Sequence, residues 1–365
     1  MKNKIKKCML GLTVLLLSTA LVGCGNEAST TAGNAGDKMK VEVIAKGFQH
    51  DFWRAVEAGA MNAAREFDVE VTFVGPSSET AIAEQVEMLN SAINRRPSAI
   101  ALAALDTNAS VDAITKAYSN GIPIIGFDSG VPGAPSGTIA ANAATDNYAA
   151  GELAAENAYE AIKDQFAGSA SGALRIGVVS QEVNSLSIYE RTAGFVDKME
   201  LLLSEDGNVG AEYVSIIGHT RFSNGIGENG AKAIIEVRVP AEVTDSAGRT
   251  EAQTLLNKQD LITIFGSNEF GANAIINANS GLSQGRIGND VIAVGFDSGV
   301  LQQDAVRSGQ FYGSVTQNPV SIGFESVRLA VAAAKGESVA DVDTGAEWYN
   351  QDNIDSADIQ ALLYQ

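Results

Sequence analysis

Histidine and cysteine are nearly absent from this chain of 365 residues, which has two of each. His50 and His219 leave little from which to build the nucleophile-and-base sets of covalent catalysis. Cys8 and Cys24 both fall in the first 24 residues, so no disulfide framework can staple the rest of the chain. A chain of this length buries enough apolar surface without one. Basic residues are also few: 25 Lys and Arg against 44 Asp and Glu give a net charge of −19. That balance argues against nucleic acid as a partner, because a phosphate backbone needs a basic face to displace its counterions. Runs long enough to span a bilayer are missing as well; the apolar stretch from Met9 to Val22 is too short for a stable transmembrane helix.

What the first residues do contain is a processing pattern. Lys2, Lys4, Lys6 and Lys7 precede the apolar stretch, and the combination reads as an export signal. Leu21-Val22-Gly23-Cys24 resembles the bacterial lipobox, in which the cysteine is lipidated and becomes the new amino terminus. Residues 1–24 are therefore expected to be a lipoprotein signal, and residues 25–39, rich in Gly, Ala, Ser, Thr and Asn, a flexible tether. The expected location is extracytoplasmic, lipid-anchored on the outer face of the cytoplasmic membrane or in the periplasm.

From Val41 onward, short apolar runs alternate with segments of helical period. Helix 52–67 places Phe52, Val56, Ala60, Ala63 and Phe67 on one stripe. The alternation predicts an α/β fold of two doubly wound, Rossmann-like lobes joined by a multi-strand hinge. Residues 40–143 plus about 318–345 form the first lobe, and 144–317 plus about 346–365 the second. Within the second, 204–233 is expected to be an elaborated surface loop, and 341–365 an irregular acidic tail.

GFDSGV occurs twice, at 126–131 and 295–300, each time after an apolar run. Such a run breaking into Gly-x-Asp-Ser-Gly reads as a buried strand whose carboxyl end presents an acid. In open α/β sheets ligands bind at that edge. Asp128 and Asp297 are thus expected to face a shared cleft as acceptors for hydroxyl groups; the competing reading makes them helix caps. Two carboxylates on moving lobes lack the fixed separation of a glycosidase pair. Gln49-His50-Asp51-Phe52-Trp53 follows the first strand, and either aromatic there can stack on a sugar ring, or pack in the core. Lys46, Arg191, Asn268 and Gln317 are further polar groups at expected strand ends or early helix positions. GIGENG at 225–230 matches a dinucleotide pattern but follows no strand. Asp341, Asp343 and Glu347 lack the middle oxygen ligand of a calcium loop.

These motifs, with Thr145-Asp146-Asn147, Arg191-x-x-Gly194-Phe195, Ser267-Asn268-Glu269 and Thr316-Gln317-Asn318-Pro319, resemble the type I periplasmic substrate-binding proteins of the ribose-binding group. These are lipoprotein receptors of sugar ABC importers. The resemblance covers about Val41 to Lys335. It implies a monomeric, non-enzymatic receptor without cofactor or metal, which closes on a pentose or hexose and delivers it to a membrane permease. It also implies that Phe52 and Trp53 stack on the sugar while Asp128, Arg191, Asn268, Asp297 and Gln317 hydrogen-bond its hydroxyls. The chain departs from the pattern in three places: His50 replaces an asparagine, Ser129 replaces an arginine, and the second-lobe aromatic has no match near Val239–Val243. The fold's sugar-responsive repressors carry a helix-turn-helix where this chain has an export signal. Receptors of this fold also serve as co-receptors that pass occupancy by a sugar or a furanosyl autoinducer to a membrane sensor kinase, and that is the alternative function.

Overall fold

The computed structural model describes residues 38–168 and 172–364. The expected export signal, Cys24 and nearly all of the expected tether lie outside the described residues. The chain begins with β1 (Lys40–Ile44), α1 (Asp51–Glu66), β2 (Glu70–Val74), α2 (Ile82–Arg95) and β3 (Ala99–Leu102). It continues with α3 (Val111–Ser119), β4 (Ile124–Phe127) and β5 (Ala141–Ala144). The second run is α4 (Asn147–Gly168), β6 (Leu174–Val179), α5 (Leu186–Glu205), β7 (Val214–Ile217) and β8 (Ala233–Arg238). After it come α6 (Asp245–Leu256), β9 (Leu261–Gly266), α7 (Glu269–Ser280), β10 (Ile292–Phe296), α8 (Val300–Arg307) and β11 (Gly313–Gln317). The last elements are α9 (Pro319–Ala334), β12 (Val342–Asp343), β13 (Ala346–Tyr349) and α10 (Ala357–Gln360).

Two sheets result, ordered β12-β5-β4-β3-β1-β2 and β13-β11-β10-β9-β6-β8-β7. Every pairing is parallel except β13 on β11. Helices cover both faces, so the inner strands are apolar along their length rather than alternating; all six residues of β9 are buried. Phe52, Val56, Ala60 and Ala63 of α1 form the expected stripe and are buried in the first core.

The long stretch 204–233 is more than a surface loop: β7 within it pairs with β8 and forms an edge of the second sheet. The segment 341–365 is not irregular either. Its strand β12 extends the first sheet beside β5, and β13 pairs antiparallel with β11. Both were hidden in the sequence because two- and four-residue edge strands carrying Asp343 or Glu347 are held by backbone bonds to a neighbour, not by an apolar period.

The chain passes between the sheets between β5 and α4, between β11 and α9, and between β12 and β13. After the first two passages the helix packs on the first helix of the lobe it enters, α4 on α5 and α9 on α1. Glycine pairs permit the close approach. A Cβ on Gly59 would stand 2.0 Å from the Val320 carbonyl oxygen, and one on Gly323 would stand 1.9 Å from that of Val56. Gly151 and Gly194 repeat the device between α4 and α5. The duplication visible in GFDSGV thus extends to helix packing.

Candidate ligand-binding site

Asp128 and Asp297 each follow the last residue of a strand, β4 or β10, and each has a left-handed backbone, with φ of 54° and 78°. Asp tolerates that region better than most residues, and the turn swings its carboxylate off the strand axis. The anchoring repeats too: Asp128 N–H donates to Ala143 O and Asp297 N–H to Val315 O, each on the adjacent strand. Both side chains are buried and point to the space between the lobes at the carboxyl ends of the sheets.

The expected site residues meet there. His50, Phe52, Trp53, Asp128, Arg191, Asn268, Asp297 and Gln317 line one cavity with Lys46, Glu79, Ile188 and Glu269. The cavity holds about 20 Å³, room for one or two waters, so a larger ligand requires the lobes to part. A broader, open pocket of about 350 Å³ lies against the other side of Asp128, but it gathers few of these polar groups.

Arg191 sits between the twin acids, 3.9 Å from Asp128 Oδ1 and 3.6 Å from Asp297 Oδ2. It is aimed by Asn147 Oδ1, which accepts from its Nε at 2.7 Å, and its guanidinium lies over Phe296. Asp297 also accepts from Gln317 Nε2 at 2.7 Å and from the Glu269 backbone N–H at 3.0 Å. The capping reading of Asp297 is therefore met in an unforeseen form: the acid serves the first turn of α7, not the helix that follows it. Asn268 caps α7 through Gly271 N–H and donates to Gln181 at 2.6 Å.

Phe52 and Trp53 are both buried and contact each other edge to face at 5.0 Å. Trp53 Nε1 donates to Glu79 at 2.7 Å, and the Lys46 ammonium lies 5.8 Å from its ring. Tyr364, near the carboxyl terminus, packs its ring behind Phe52 and its hydroxyl donates to Glu269. None of the residues 239–243 lines the cavity.

Hydrogen bonds tie the lobes across this cavity. Lys46 Nζ donates to Ser187 Oγ at 3.0 Å, Gln181 Nε2 to Glu79 Oε2 at 2.9 Å, and Ser187 N–H to Ser129 Oγ at 3.3 Å. Ser129 thus makes a bond between lobes.

Lys46, noted in the sequence only as a polar group at a strand end, also lines the cavity; Glu79, Ile188 and Glu269 are the lining residues absent from the expected set. Glu269 ends the Ser267-Asn268-Glu269 segment, in which Asn268 alone was expected to touch ligand. Glu79 lies in the turn between β2 and α2 and carries no motif. Burial works against the Lys46 ammonium, yet Asp128 at 3.0 Å, then Glu79 and Glu182, outweigh it and raise its pKa. Burial likewise opposes the Glu79 carboxylate, but His50, Lys46, Gln181 and Trp53 hold it below the ordinary range. Burial pushes Glu269 up to about 7, with nearby Asp297 and Asp51 adding to the rise and His50 opposing it.

The chain matches known proteins over most of its length. A family model described as a periplasmic binding protein domain matches residues 41–338. The D-allose-binding periplasmic protein of Escherichia coli (strain K12) is 24% identical over 326 residues, which cover 86% of this chain and 90% of that protein. A solved structure from Brachyspira murdochii, titled as an ABC transporter, LacI family transcriptional regulator, is 36% identical with a TM-score of 0.75, covering 90% of this chain and 99% of that one. An ABC transporter solute-binding protein of Agrobacterium vitis with bound D-fucose is 27% identical with a TM-score of 0.73, covering 89% of this chain and all of the other.

Proposed function

The chain belongs to the periplasmic binding protein family, and from that premise we propose that it is the extracytoplasmic sugar receptor of an ABC importer. It binds a monosaccharide, pentose or hexose, between two lobes and delivers it to a membrane permease, without chemical turnover. The observation that carries this reading is the convergence of His50, Phe52, Trp53 and Asp128 from one lobe with Arg191, Asn268, Asp297 and Gln317 from the other on a single buried cavity. Relatives named for D-allose and D-fucose binding support the ligand class. They lend nothing to the sensor co-receptor alternative.

In this reading Asp128 and Asp297 accept from sugar hydroxyls, Arg191, Asn268 and Gln317 donate, and Phe52 and Trp53 cover an apolar face of the ring. Residues 40–143 with 318–345 act as one lobe and 144–317 with 346–365 as the other. Closure is favoured by the sugar's additional contacts in the closed form. Cys24 anchors a monomeric receptor to the membrane through lipid.

Thermal unfolding of the purified protein against a panel of pentoses and hexoses tests the proposal. A sugar at about 100 times its dissociation constant should stabilise the protein by ~2.7 kcal/mol. Absence of any shift, together with unchanged solution scattering across the panel, would overturn it.

A further inference from the structure

Resting on the sugar-receptor reading, we propose that the preferred ligand carries a positive charge: an amino sugar whose ammonium group lies against Glu269. The argument starts from the charges lining the cavity. Glu79, Asp128, Glu269 and Asp297 are acids, each no more than 7% exposed. Against them stand Lys46 and Arg191. Four carboxyl groups thus face two cationic side chains in the lining. Buried charge is expensive unless paired, so an excess of one sign inside a binding cavity calls for a counter-charge from the ligand.

The pairing pattern shows where that charge belongs. Lys46 faces Asp128, and Arg191 is shared by Asp128 and Asp297. Glu79 takes neutral donors from Trp53 and Gln181, with Lys46 and His50 acting on it at longer range. Glu269 has no ion-pair partner among the described residues; its side chain accepts from the Tyr364 hydroxyl at 3.3 Å, and His50 favours its charged form while Asp297 and Asp51 oppose it. Asp51 is itself engaged by Arg54, and Glu182, behind Lys46, is held by Ser185. Glu269 is therefore the lining acid with neither a cation within ion-pair distance nor a set of donors like that of Glu79, and an ammonium beside it would favour its ionised form.

A second feature points the same way. Gln317 is 1% exposed, and its Oε1 has no hydrogen-bond partner among the described residues, while its Nε2 is committed to Asp297. Asp128 Oδ2 faces Lys46 without an aligned hydrogen bond. The cavity thus offers acceptors in excess of donors, and an ammonium brings three donors where a hydroxyl brings one.

Calorimetric titration near neutral pH tests this, using D-glucose, D-allose and D-galactose, their 2-, 3- and 6-amino-deoxy counterparts and the N-acetylated forms. At least one amino sugar should bind about tenfold or more tightly than its hydroxy parent, and N-acetylation, which removes the charge, should erase the gain. Glu269→Gln should bring the ratio of amino to hydroxy affinity toward unity, with Glu79→Gln read in the same way should the first variant fail to fold. Parents that bind as tightly as every amino counterpart overturn this inference and leave the sugar-receptor reading in place. An undiminished ratio in Glu269→Gln overturns the assignment to Glu269, and failure of any sugar to bind overturns both.

Discussion

Asp128 and Asp297 occupy the same turn in two lobes, share a left-handed backbone, and face one guanidinium, that of Arg191, at 3.9 and 3.6 Å. Arg191 belongs to α5 in the second lobe, so its approach to Asp128 spans the lobe boundary while its approach to Asp297 does not. One arginine therefore reports on the distance between the repeated acids.

Asn in place of either acid keeps a residue suited to positive φ but removes the charge facing Arg191. Asp128→Asn and Asp297→Asn should each weaken sugar binding by about 2–3 kcal/mol, close to a hundredfold. Titration calorimetry on each variant measures this, and unchanged affinity would remove that acid from the site.

Gln181 links Glu79 of the first lobe to Asn268 of the second. Gln181→Ala should loosen the closed form, giving a larger radius of gyration by solution scattering without ligand and faster sugar release by stopped flow. A scattering profile identical to wild type would show that the bond does not hold the lobes together.

At Gly59 and Gly323 the neighbouring helix backbone leaves no space for a Cβ. Gly59→Ala or Gly323→Ala should destabilise the protein by about 1–3 kcal/mol through overpacking between α1 and α9. Denaturant melts read the loss; melts matching wild type would mean that the helices separate at no cost.

Glu269, pushed up to about 7 by burial, also sets a pH dependence. Its raised pKa favours the folded state at low pH, and that contribution is lost as pH rises from the unfolded value of about 4.5 to about 7. Glu269→Gln should therefore gain stability relative to wild type across that window, by up to about 3 kcal/mol at ~1.4 kcal/mol per pKa unit. Paired melts from pH 4 to 8 follow the difference, and a pH-independent gap would contradict the assignment. Arg191, His50, Asp51, Asp297 and Tyr364 also surround this group, so the comparison is made between variants, not along one profile.

Much of this architecture is determined by sequence alone. Short apolar runs alternating with helical periods require parallel sheets covered on both faces, and the two GFDSGV segments mark where each sheet turns an acid toward the cavity. Phe52, Trp53, Arg191, Asn268 and Gln317 were legible because each belongs to a local pattern at a strand end or early helix position. Tertiary structure decided what no local pattern encodes. It brought Glu79, from the turn between β2 and α2, and Glu269, at the start of α7, beside Lys46 in one cavity, assigned Asp297 to cap α7, and gave β7, β12 and β13 their places by backbone pairing. The physical reason is range: burial periodicity and turn chemistry act within a few residues, whereas the balance of charge in a buried cavity depends on groups, such as Glu79 and Glu269, that meet only when the lobes fold together.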